Sequence, residues 1–78
     1  MATAARELEL AQTGQGCLGK AADDEPVFIL RAQDKLAADL VDLWADRAQA
    51  NGCGMAKVIE AMDLAQKMRA WPTQKFPD

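Results

Sequence analysis

Asp34-Lys35-Leu36-Ala37-Ala38-Asp39-Leu40-Val41-Asp42-Leu43-Trp44-Ala45-Asp46-Arg47-Ala48-Gln49-Ala50-Asn51-Gly52 is the stretch whose reading decides the fold. At about 100° per residue, Leu36, Ala37, Leu40, Val41, Leu43, Trp44 and Ala48 gather on one broad arc. Asp39, Asp42 and Asp46 fall opposite. Asp34 is a favourable N-cap and Asn51-Gly52 a favourable C-terminal stop, so the pattern predicts an amphipathic helix over about 34–51. After the short Asn51-Gly52-Cys53-Gly54 connection, a second helix is expected over about 55–71, where Pro72 discourages continuation. A connection that short makes the two helices antiparallel neighbours, an αα-hairpin.

The second helix has a narrow polar face, Glu60, Asp63 and Lys67. Val58, Ile59, Ala61, Met62, Leu64, Ala65, Met68 and Trp71 spread around most of what remains. A helix apolar over that much of its circumference needs more than one partner. The other helix covers part, and a second copy of the chain is expected to cover the rest. The expected fold class is therefore all-α or nearly so: an antiparallel αα-hairpin with an irregular glycine-rich N-terminal third, homo-oligomeric and most simply a dimer. Trp44, Met62, Met68, Trp71 and Phe76 are the candidate interface side chains, because at helical spacing such residues read as core or interface filler rather than as a cofactor box.

Size points the same way. A 78-residue chain makes one small domain whose core is marginal, and such domains gain stability from disulfides, metal, unusually good helix packing or self-association. No metal is expected: histidine is absent, and the two cysteines, Cys17 and Cys53, lie far apart with no Cys-x-x-Cys pair. Met1-Ala2-Thr3-Ala4-Ala5-Arg6 leads into no apolar core of a signal peptide, so a cytoplasmic setting with free thiols is expected. No apolar run approaches a membrane span. Twelve acidic against nine basic residues give a net charge of −3, which disfavours a nucleic-acid partner. The charge is also segregated: residues 34–50 are mainly acidic and 55–75 mainly basic, which favours antiparallel pairing of the two segments.

Upstream of the hairpin, residues 1–12 read as an arm or a short helix over Ala4–Gln12 capped by Thr3, although Arg6-Glu7-Leu8-Glu9-Leu10 also alternates in a strand-like way. Residues 13–78 then form a single helical domain. Residues 13–26 read as a loop, with glycine at 14, 16 and 19 followed by Asp23-Asp24-Glu25-Pro26. Val27-Phe28-Ile29-Leu30 is too short to decide between a buried strand and a first helical turn, and an extended segment running into the helix is favoured. Residues 72–78 read as a stiff extended tail whose Phe76 docks on a neighbouring surface.

The chemistry-bearing residues fall into two groups. Gly14-Gln15-Gly16-Cys17-Leu18-Gly19-Lys20-Ala21 has the outline of a phosphate-binding loop, in which glycine backbone N–H groups cradle phosphates and lysine reaches the terminal one. Ala21 stands where the magnesium-binding hydroxyl belongs, and the chain is too short for the parallel sheet of a nucleotide hydrolase. What remains is a glycine turn for close packing, or a loop that holds an anion through Gly16, Gly19 and Lys20. The second group is Arg47 and Arg69, which lie inside the apolar arcs of their helices. Arginine there snorkels, pairs with a carboxylate or meets an anionic ligand. With Lys20 and Arg31 they form a candidate pocket for a phosphate-bearing small molecule at an oligomer interface. Without histidine, Cys17 and Cys53 lack a general base, so no catalytic residues are assigned and an enzyme is not expected.

The strings Gly16-Cys17-Leu18-Gly19-Lys20-Ala21 and Asp24-Glu25-Pro26-Val27-Phe28-Ile29-Leu30-Arg31-Ala32-Gln33-Asp34, with Met68-Arg69-Ala70-Trp71-Pro72, Lys75 and Pro77-Asp78, resemble a group of small phage and prophage proteins of unknown function. The resemblance covers roughly residues 13–78. It implies a phage origin and a location in the cytoplasm of an infected or lysogenic bacterium. The expected function is a non-enzymatic accessory protein that inhibits host antiviral defence by sequestering a nucleotide-like anion. The alternative is a protein–protein interaction module that docks on a host defence or metabolic complex through the second helix and the tail. Neither reading needs a cofactor.

Overall fold

The computed structural model describes residues 2–77 and contains four helices: α1 (Ala4–Gln12), α2 (Gly16–Lys20), α3 (Ala37–Ala50) and α4 (Met55–Arg69). The described residues are helical or irregular and contain no strand, so the fold is all-α. α1 packs on α2 and α3 packs on α4, while the two helical pairs make no helix–helix contact with each other.

Each long turn is set by the same device. At the end of α3, the Gly52 N–H donates to the Gln49 carbonyl at 3.1 Å and the Cys53 N–H to the Ala48 carbonyl at 3.0 Å. Gly52 has φ +77°, the left-handed conformation this double bond requires. α1 ends identically, with Gly14 N–H to Ala11 and Gln15 N–H to Leu10, and Gly14 at φ +72°. Both chain reversals are therefore Schellman turns, and they fold the sequence into two helical hairpins. At its other end α1 is capped as its sequence suggests: Thr3 Oγ1 accepts from the Arg6 N–H at 3.2 Å.

The α3–α4 interface is built from small side chains. One cluster joins Ala37, Ala38, Ala65 and Met68, with Leu30, Ala32, Val41 and Leu64 against it. A second joins Ala45, Ala48 and Val58, with Ala61 beside them. Val58 is the largest side chain buried completely. Alanine on both helices lets the backbones approach closely, but it removes little apolar surface from water. Many of the larger apolar residues, among them Leu36, Leu40, Leu43, Trp44, Ile59 and Met62, remain about half exposed.

Two helix boundaries differ from the sequence reading. α3 begins at Ala37 rather than near Asp34, because Asp34 is held in a parallel bridge to Lys75. The Lys35 N–H donates to the Lys75 carbonyl at 3.0 Å and the Lys75 N–H to the Gln33 carbonyl at 2.8 Å, so 33–35 cannot be helical. Asp34 still caps, accepting from the Leu36 N–H at 2.8 Å, but it caps a turn ahead of the helix. α4 ends at Arg69 rather than Trp71, since the residue before proline avoids helical backbone. The glycine segment likewise contains one short helix, α2, where a loop through residue 26 was expected. Between 25 and 31 the chain forms neither helix nor turn, in keeping with the extended alternative over a first helical turn.

Candidate functional site

Arg69 projects from the last turn of α4 and donates through one Nη atom to Asp39 at 2.9 Å and to Asp42. These carboxylates lie on the acidic face of α3, so the segregated charges of the sequence meet here as an ion-paired clasp between the helices. The hydrogen bond to Asp39, then that to Asp42, raises the guanidinium pKa above its ordinary value. Arg69 is thus paired within its own protomer.

The other candidate cations behave differently. Lys20, at the end of α2, Arg31, ahead of α3, and Arg47, on the outer face of α3, all have exposed side chains and no ion pair among the described residues. Lys57 shares that condition. Arg31 lines a shallow hollow with Gln33, Asp34, Lys75, Phe76 and Pro77. Lys20 belongs to the α1–α2 pair and Arg47 to the α3–α4 pair, and no contact between these pairs brings them together.

The glycines serve packing. An ideal Cβ on Gly19 would lie 2.7 Å from the carbonyl carbon of Gly14 and 3.3 Å from Ala11 Cα. Gly19 is therefore where α2 touches α1 backbone to backbone. A Cβ on Gly16 would meet Leu10 Cβ at 3.1 Å and Glu7 Oε2 at 3.2 Å. A carboxylate oxygen beside the glycine turn is a poor neighbour for a bound phosphate. Of the three motif residues assigned to an anion, Gly16 and Gly19 are half-buried and Lys20 is exposed.

An open groove of about 590 Å³ lies between α3 and α4, lined by Leu43, Ala45, Gln49, Met62 and Gln66 together with Asp42, Asp46 and Asp63. Its charge is acidic. No group of three or more cysteine, aspartate or glutamate side chains among the described residues is placed to hold a metal ion. Cys17 and Cys53 are free and exposed.

Among the interface candidates, Trp44, Met62, Trp71 and Phe76 are exposed, whereas Met68 lies buried in the core of its own protomer. Phe76 also touches its own chain, with the Lys35 ammonium 5.0 Å from the ring centroid. Two features had no signal in the sequence reading. One is Gln74, whose Nε2 donates to the Ala32 carbonyl at 3.2 Å and to the Met68 carbonyl. It thereby fastens the tail both to the segment before α3 and to the end of α4. The other is how fully Val27, Phe28 and Ile29 face solvent, with Phe28 85% exposed.

Comparison with protein-family models, with curated proteins and with solved structures found no match. No helix among the described residues is long and apolar enough to cross a membrane.

Proposed function

We propose that this protein is a non-enzymatic, homo-oligomeric accessory protein of phage origin that sequesters a small nucleotide-like anion and so blunts a host antiviral defence. The observation that carries the reading is the set of uncommitted cations. Lys20, Arg31 and Arg47 stand exposed without carboxylate partners, while the helical pair that bears Arg47 is otherwise rich in acidic residues. An arginine fork offers parallel donors to phosphate oxygens, which is the chemistry these positions present. The reading puts the pocket between copies, because Lys20 and Arg47 lie on helical pairs that share no helix–helix contact. Arg69 acts as the clasp to α3 and is not part of the pocket. The phage setting and the defence target come from the sequence resemblance.

The test is a thermal-shift and calorimetric panel of linear and cyclic nucleotides against the wild type and the Arg31→Ala/Arg47→Ala variant. Ligand-induced stabilisation of the wild type, reduced at least tenfold in affinity in the variant, is the expected result. No stabilisation by any nucleotide removes the ligand half of the reading.

A second reading has its own observation. Val27, Phe28 and Ile29 form a run of exposed apolar side chains with no hydrogen bond from their backbone among the described residues, beside Leu30, which is anchored on the core. Such a run suits docking on a host protein. Native mass spectrometry of protein purified from infected cells separates the two: a stoichiometric host protein favours docking, and a retained small molecule favours capture.

A further inference from the structure

The outer face of α3 carries a pattern that the chain itself leaves uncovered. Leu36, Leu40, Leu43 and Arg47 follow one another at spacings of four, three and four, the seam of a coiled coil. The residues of α3 that pack on α4, namely Ala37, Ala38, Ala45 and Ala48, are all buried. Leu36, Leu40, Leu43 and the flanking Trp44 are 46, 46, 47 and 50% exposed. α3 therefore has two apolar faces, of which one is used within the protomer.

We propose that α3 pairs with α3 of a second copy of this chain, antiparallel about a two-fold axis, through the Leu36–Leu40–Leu43–Arg47 seam. Area supports a second copy as the occupant. The protomer exposes 6148 Å², whereas a folded chain of 8.4 kDa exposes roughly 4,600 Å². The surplus of about 1,500 Å² exceeds the roughly 800 Å² that each partner buries in a stable interface.

Spacing selects the face and charge the direction. The outward side of α4 offers Met55, Ile59 and Met62, but without the four-three-four leucine spacing of α3, and the acidic groove of Asp42, Asp46 and Asp63 borders both faces through Met62 and Leu43. The α3 seam contains no carboxylate. In a parallel pair Arg47 would stand against Arg47. In the antiparallel pair Leu40 faces the partner's Leu43, and each Arg47 lies toward the opposite end of the partner helix, where Asp34 and Asp39 are found. The seam rests on the homo-oligomer half of the proposed function and is independent of its ligand half.

Sedimentation velocity of the full chain, with far-ultraviolet circular dichroism, tests it. The wild type is expected to sediment as a dimer or a multiple of one. Leu40→Glu/Leu43→Glu is expected to halve the assembly mass at equal concentration with helicity unchanged, since neither residue is in the protomer core. A monomeric wild type, or a double variant that keeps the wild-type mass, overturns the proposal. Should the double variant lose helicity, Arg47→Glu gives the reading instead. It places like charges beside the partner's acidic end and is expected to raise the dissociation constant at least tenfold, and unchanged association overturns the antiparallel seam. A two-fold assembly that disassembles as expected but is stabilised by no nucleotide upholds the seam while removing the ligand.

Discussion

At the level of single residues, space rather than chemistry explains the glycine-rich segment. Gly19 gives α2 its contact with α1, because no side chain fits 2.7 Å from the Gly14 carbonyl carbon. Gly19→Ala is expected to separate the two short helices and leave α3 and α4 intact, as the pairs share no helix–helix contact. Hydrogen exchange reads this directly: amides of 4–20 accelerate and those of 37–69 do not. Gly54→Ala, with nothing within 4 Å of the new methyl, is the matched control. Equal protection of both regions in the Gly19 variant would sink the packing account. Val58 is the complementary case. As the largest fully buried side chain it has no neighbour able to take its place, so Val58→Ala is expected to cost about 2 kcal/mol. In a domain of this size that is a fall in Tm of roughly 10 °C. A fall of less than about 2 °C by calorimetry would mean that the site collapses around the cavity.

Between elements, polar clips join pieces that the small core joins only weakly. Gln74 supplies one amide to two carbonyls, one of them at the end of α4, where the Met68 oxygen also accepts from the Trp71 N–H. Gln74→Ala leaves both part-buried oxygens without that donor and is expected to cost about 1–2 kcal/mol in chemical denaturation. Gln74→Met restores the bulk but not the donor, so it should be equally damaging; recovery with methionine would assign the effect to packing. Arg69 clasps the same hairpin from its polar side. Its folded pKa is raised, so its contribution is complete below the unfolded value and disappears only as pH rises through the folded one, in strong alkali. Arg69→Met is therefore expected to lower Tm by a few degrees, and equally at pH 6 and pH 9. A loss confined to pH 9 would contradict the assignment.

These elements also show what was legible in the chain. The hairpin, its turn and the acidic-to-basic pairing follow from helical periodicity, from Asn51-Gly52 and from charge order, all of them local signals. The start of α3 was not legible, because the bridge that keeps Asp34 out of the helix comes from Lys75, a contact distant in sequence. The fate of Arg69 was legible only as alternatives, since angular position places an arginine on an apolar arc but does not say whether a carboxylate on the facing helix can reach it. Met68 and Trp71 looked alike as interface candidates, yet only depth along the helix separates a core position from an exposed one. The broad apolar coverage of α4 corresponds to Met55, Ile59 and Met62, which the protomer leaves about half exposed.

For the whole molecule the decisive quantity is surface left uncovered. A radius of gyration of 13.3 Å compares with about 11.5 Å for a compact domain of 78 residues. Fully buried side chains no larger than valine give the protomer a small core, whereas the exposed Leu36, Leu40, Leu43, Trp44, Phe28 and Ile29 hold apolar area in reserve. If two copies pair through the α3 seam as proposed, assembly adds to the stability of the folded protomer, and that stability follows mass action. For a dimer that unfolds to monomers, each tenfold dilution removes about 1.4 kcal/mol per dimer, which over two chains of this length lowers Tm by about 4 °C. Calorimetry across a hundredfold concentration range should therefore span about 8 °C. A Tm independent of concentration would show that the alanine-lined hairpin stands alone, and the exposed leucines of α3 would then have to be explained by a partner other than a second copy.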